Sequence, residues 1–181
     1  MHHRRIRRGK VGMVGLVGAS GVVALASTAV AAAVVVRSAG QLRDYDTVAT
    51  GPFDHATARV QLVGHGSGTT AVLHVFGIDP SVAGRTFGAH LHDGPCATDL
   101  PALASGHYNA DAHAGHLPPA VSPATEVWLD FTVDGSGAGD SSAVVRFPVQ
   151  AGTRSVVVHA APTNPVTGAA GARLACLPVE W

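Results

Sequence analysis

The chain is poor in charge and in aromatic residues: charged side chains make up 13% of its 181 residues, and Phe, Trp and Tyr together 5%. Lysine is almost missing, because Lys10 is its single instance. Residues 1–37 hold six basic side chains and no acid, which leaves six basic against twelve acidic in the remainder, a net charge of −6 with histidine neutral. A domain charged in this way lacks the basic field that nucleic acid requires, so that class of partner is excluded. Apolar residues at helical spacing are missing beyond the N-terminal segment. What stands in their place is seven or eight short, β-branched runs separated by Gly-rich turns, the pattern of an antiparallel sandwich or barrel.

The N-terminus is organised differently. MHHRRIRRGK is followed by a charge-free run of 26 residues, Val11 to Val36. A basic head, an apolar stretch and then small residues mark residues 1–37 as a secretory signal peptide or an N-terminal membrane anchor. Ala24–Ala26 and Ala29–Ala31 supply A-x-A sites for cleavage, while the run is long enough to span a bilayer, so both fates stay open. The absence of cysteine here excludes a lipid anchor on a processed Cys. Either way the protein is expected to be exported, to an extracellular, periplasmic or cell-envelope location, with membrane contact only through residues 11–36 if they are retained. Residues 38–55 read as a linker running into a first strand around Asp46–Ala49. The part beyond the export segment, about 140 residues, suffices for one domain with one core.

Only two cysteines occur, Cys96 and Cys176. In an exported chain an even pair is most simply a disulfide, the rival being metal-ligating thiolates. The runs expected as strands are Ala58–Val63 and Thr69–Phe76, joined by a Gly-rich turn as a hairpin, then Thr86–His92, Glu126–Val133, Ser142–Phe147, Ser155–His159 and Arg173–Leu177.

Histidine is abundant, and five of the eleven fall between Gly88 and His116: His90, His92, His107, His113 and His116. His90 and His92 lie two apart on a strand, so both imidazoles face the same way and can grip one metal ion. Neutral imidazole suits copper and zinc. The Gly-, Pro- and Ala-rich stretch that follows is expected to fold back as a loop and bring His107, His113 and His116 over that strand. His159 ends the apolar run SVVVH. His55, His65 and His74 read as structural.

Five pieces in order, GAHLHDGPC (88–96), GHYN (106–109), HAGHLP (113–118), VVVHA (156–160) and AGARLAC (170–176), resemble the copper–zinc superoxide dismutase family over about 45–181. The resemblance implies a Greek-key β-barrel of about eight strands. It implies copper held by His90, His92, His107 and His159, with His107 also bridging to zinc and acting in catalysis. It makes Cys96–Cys176 the structural disulfide and Arg173 the arginine that docks the superoxide anion beside the copper. HAGHLP matches the last zinc-ligand segment, with His113 at a histidine position and His116 where aspartate is usual. A homodimer is left open.

Departures from the family pattern concern zinc and the approach of substrate. The loop from His107 to His113 is short and lacks one zinc-ligand histidine, so two arrangements stand side by side. One is a zinc site of His107, His113 and His116 completed by water or Asp111; the other is a copper-only site. The segment between His159 and Arg173 is also short and carries neither the carboxylate that links the two metal sites nor charges to guide an anion. The function implied is disproportionation of superoxide to dioxygen and hydrogen peroxide; the alternative is an exported domain of the same fold that binds copper or zinc without turnover. Other metal proteins fit less well. Blue-copper sites want Cys and usually Met, and the only methionines are Met1 and Met13. A cupin wants Glu soon after its HxH pair, where Asp93-Gly94-Pro95 stands instead. A zinc hydrolase wants a carboxylate base by the metal, and the only glutamates, Glu126 and Glu180, are remote from the histidine loop in sequence.

Overall fold

A computed structural model describes residues 33–180. The export or anchor segment lies outside the described residues as far as residue 32. Among those described, no helix is long and apolar enough to cross a membrane. The strands are β1 (Val34–Gln41), β2 (Arg43–Asp44), β3 (Thr57–His65), β4 (Gly68–Phe76), β5 (Thr86–Phe87), β6 (Ala89–His92), β7 (Phe131–Thr132), β8 (Gly139–Val145), β9 (Arg154–His159) and β10 (Arg173–Val179). One sheet has the order β1-β3-β4-β8, a second β2-β10-β9-β6, and β5 pairs with β7. All pairings are antiparallel. The all-β sandwich expected from the strand pattern is what forms.

Alternation explains the layers. Ala58, Val60 and Leu62 of β3 and Ala71, Leu73 and Val75 of β4 are buried, while their neighbours in sequence lean outward. They meet Ala89 and Leu91 of β6, Val156 and Val158 of β9, and Ala175 and Leu177 of β10 in one core. Phe53 packs edge-on against Phe87 at 5.0 Å to extend it. Strands β6 and β9 are buried along their whole length. Their outward-pointing residues are therefore covered as well, and the loops that cover them form the site.

Three strand expectations need correction, and the simplest is Glu126–Val133, of which only Phe131–Thr132 is strand while Glu126 and Trp128 make isolated bridges to Asn109 and His90. The first strand is Val34–Gln41, not Asp46–Ala49. Its residues pair with β3 from Val34↔Gly64 to Gln41↔Thr57, so the sandwich starts inside what read as the end of the export segment and the linker. Around Asp46 the chain turns instead, because the Asp46 carboxylate accepts hydrogen bonds from the Val48 and Ala49 amides at 3.1 and 3.0 Å. The run Thr86–His92 is broken at Gly88, with β5 and β6 belonging to different sheets. A Cβ at Gly88 would meet the Ala170 Cβ at 2.7 Å and the Ala161 carbonyl at 2.9 Å, so only glycine lets the loop after β9 pass this close.

Cys96 and Cys176 form a disulfide across a separation of 80 residues. It ties the loop after β6 to β10 and is packed with Tyr45, Ala104 and Val157 in a cluster behind the main core. Closing a loop of that length restricts the unfolded chain by about 4–5 kcal/mol. Replacing both cysteines by serine is expected to lower the unfolding free energy by about that amount, read as a lower urea midpoint with a steeper slope, because the uncrosslinked denatured chain exposes more surface. A midpoint equal to that of the oxidised wild type would contradict it.

Candidate metal centre

In β6 the same alternation that sends Leu91 into the core sends His90 and His92 to the opposite face. Across the ladder, His90 faces Val157 and His92 faces Ser155, and His159 ends β9 two residues beyond Val157 on that side. The loop after β6 then doubles back. Asp93 donates to the Gly106 carbonyl, Tyr108 donates to the Leu91 carbonyl, and His107 is bridged to His92. A side chain at Gly94 would run into the Leu103 carbonyl, so glycine is required for this loop to close over the strand.

These placements bring His90, His92, His107 and His159 together, each offering one ligand atom within 4.8 Å of the others. His90, His92 and His159 are buried, whereas the His107 side chain keeps 18% of its surface exposed. The partners of the rings decide which nitrogens face inward. His92 Nδ1 lies 3.2 Å from the Ser105 carbonyl, and His159 Nδ1 lies 3.2 Å from that of Gly171. His107 Nδ1 lies 2.8 Å from Glu126 Oε2. Carbonyl and carboxylate oxygens only accept, so these three nitrogens carry the protons and leave Nε2 with its lone pair. His90 is inverted. Its Nε2 meets Thr163 Oγ1 at 2.7 Å, and that hydroxyl donates onward to Asp130 at 2.6 Å, leaving Nδ1 free.

Four lone pairs therefore converge, and the structure shows two signs that they suit a cation. His90 Nδ1 is buried with no hydrogen-bond partner. The two Nε2 atoms of His92 and His159 are 3.3 Å apart, both without a proton by the argument above. Burial, first among the causes, pushes these imidazoles far down: His90 to about 2, His92 to about 3 and His159 to about 4. The neighbouring imidazoles add to this in all three, and Arg173 adds to it at His92 and His159. All three are neutral ligands at pH 7, each oriented by a second group as metal-binding histidines are.

Arg173 sits opposite His159 because of a bulge. Ala175 pairs with Val158 on the core side, and the irregularity between Arg173 and Ala175 turns Arg173 over to the histidine face. Its guanidinium donates to the Pro101 and Ser105 carbonyls, which hold the cation beside the site. Ser105 reaches that position with a φ of 63°.

The residues expected to complete a zinc site are not brought to His107. His107 Nδ1, the atom that would bridge to zinc, faces Glu126. Asn109 caps the short helix α1 (Ala110–His113), which carries the chain away from His107. Within and after it, His113 stacks on Tyr108 and turns its Nε2 to Asp93 at 3.0 Å, while His116 pairs with Asp111 at 3.6 Å. Among the described residues, only the four-histidine group is arranged as a metal nest.

Glu126, Thr163 and Asp130 are site residues that the sequence reading passed over. Burial pushes the Glu126 carboxyl up, but hydrogen bonds from His107, Trp128 and Asn109 outweigh it and hold the group below the ordinary carboxylate range. A signal for the two acids was present. In EVWLDF, Val127, Leu129 and Phe131 are core residues, so Glu126, Trp128 and Asp130 share the other face. That segment runs beside β6, through Leu91 to the Val127 carbonyl and Leu129 to the Ala89 carbonyl, on the side of the histidines.

No protein-family model and no curated protein matches this sequence. Solved structures do match it. One is the crystal structure of a double mutant of a SOD-like protein from Bacillus subtilis, at 17% identity, with a TM-score of 0.52, covering 79% of this chain and 97% of that one. The chain thus has the β-sandwich fold of SOD-like proteins and, on the covered face of one sheet, a group of four histidines that can hold a metal ion.

Proposed function

We propose that the protein is an exported, copper-dependent superoxide dismutase with one metal ion per domain. The observation that supports this best is the convergence of four proton-free imidazole nitrogens, each fixed from behind by a different group. The disulfide suits an oxidising compartment. Copper in this nest would supply one-electron chemistry, so that one superoxide gives up an electron and leaves as dioxygen. A second takes up that electron with two protons and leaves as hydrogen peroxide.

The protein's own part is positioning and proton handling. Arg173, locked by two carbonyls, keeps donors for a small anion beside the histidines. Of the four imidazoles, His107 is the one with exposure to solvent, and Glu126 holds the proton on its Nδ1. Its Nε2 is then the atom that can take a second proton and pass it to the departing peroxide. Because the domain, with Arg37 of β1 counted, carries a net charge of −5, the field of Arg173 has to draw in the anion at short range. Arg173→Ala is expected to lower the rate about tenfold and flatten its dependence on ionic strength. A rate unaffected by both the substitution and salt would remove Arg173 from the mechanism.

A single ion is expected because Glu126 occupies the side of His107 that would otherwise face zinc. Metal analysis of protein loaded with copper and zinc together should return one ion per chain; two would restore the zinc arrangement. The second reading, a domain of this fold that binds copper or zinc without turnover, draws on the short segment between His159 and Arg173, which contains no charged residue. Stoichiometric copper with no dismutation would favour it.

A further inference from the structure

At the seam between the two large sheets lies a groove of about 460 Å³ with no histidine in its lining, which includes Arg37, Arg43, Arg154 and Glu180. β1 and β2, which contribute the first two arginines, are edge strands of their respective sheets. Three guanidiniums against one carboxylate are unexpected in a domain that, with Arg37 of β1 counted, carries a net charge of −5 with histidine neutral. Few of their donors are used. Arg37 has no hydrogen bond or ion pair among the described residues, and Arg43 donates only through Nη1, to the Cys96 carbonyl at 3.0 Å. Arg154 is 8% exposed, and its Nε is buried without a hydrogen-bond partner. Asp93 approaches that atom at 3.4 Å, and the terminal nitrogens donate to the Thr153 and Gln150 carbonyls.

We propose that this groove binds a phosphate group. A carboxylate offers two oxygens and satisfies one guanidinium fork; a phosphate offers more oxygens and more charge, and can accept from more than one of the arginines that line the groove from different strands. Binding there would bridge β1, β2 and the start of β9, and so stabilise the folded sandwich. The phosphate can be a free anion or part of a phospholipid headgroup.

The test uses the full chain and its melting midpoint at constant ionic strength. Inorganic phosphate at about 10 mM is expected to raise the midpoint by about 3 °C over chloride, as for a ligand that binds only the native state at millimolar affinity. Arg43→Ala and, independently, Arg37→Ala on the exposed face of β1 should each remove most of that rise. Glycerophosphoglycerol, a headgroup diester without acyl chains, separates the sources. Greater protection by the diester points to a membrane lipid, and greater protection by inorganic phosphate to the free anion. No rise in the wild type, or an undiminished rise in both variants, overturns the proposal.

Discussion

His159→Ala is expected to abolish tight copper binding and, with it, dismutation. His159 is the only ligand not contributed by the GAHLHDGPC–GHYN part of the chain, so its loss opens one side of the nest and leaves three nitrogens on two neighbouring segments. Removing a group that merely orients a metal ligand costs about 10- to 100-fold in affinity, and removing the ligand itself should exceed that. Thr163→Val provides the comparison. It severs the link from His90 to Asp130 but keeps all four ligands, so it should fall inside that 10- to 100-fold range. Competition against a copper chelator measures both. If His159→Ala binds copper as tightly as the wild type, the four-histidine assignment is wrong.

Acid is expected to unfold the metal-free protein well above the pH that carboxylate loss alone would require. In the unfolded chain a histidine takes up its proton near pH 6.5. In the folded protein His90, His92 and His159 resist it until about 2, 3 and 4. Above pH 7 neither state binds these protons, and stability is unaffected. As pH falls below 6.5 the unfolded state gains protons that the folded state refuses, so stability drops by up to about 1.4 kcal/mol per histidine per pH unit. By pH 5 the three together should cost about 6 kcal/mol, comparable with the whole stability of a typical domain. The fall continues until the folded-state values are reached, first for His159. Copper should shift the curve to lower pH, because protons then have to displace the ion. Urea midpoints at pH 7, 6 and 5, with chelator and with copper, check both statements; equal midpoints across this range without metal would show that the rings are not held neutral by burial.

The four histidines that come together were legible in the sequence, partly from rules local to a strand and partly from the family resemblance. His90 and His92 share a face by alternation, His159 ends an apolar run, and short motifs in family order located His107. His113 and His116, expected as zinc ligands, are not brought to His107, since they lie at the end of α1 and on the loop after it. There, the capping of α1 by Asn109 and the pairing of His113 with Asp93 decide where the side chains go. Glu126 and Asp130 were missed for the converse reason. Both lie on a readable alternating segment, but alternation says which residues share a face, not which neighbouring strand that face meets.

By itself, the sequence determined the class of fold through periodicity, the cysteine pair through its count, and the set of four imidazoles through the resemblance of a few ordered motifs to a known family. The tertiary structure alone decided what stands behind those imidazoles: a glutamate at His107, a hydroxyl–carboxylate pair at His90, carbonyls at His92 and His159, and a bulge that turns Arg173 toward them. The physical reason is that a ring's second nitrogen is satisfied by whichever group packing brings within about 3 Å, and these groups come from up to 73 residues away in the chain. Pattern within one strand constrains none of them.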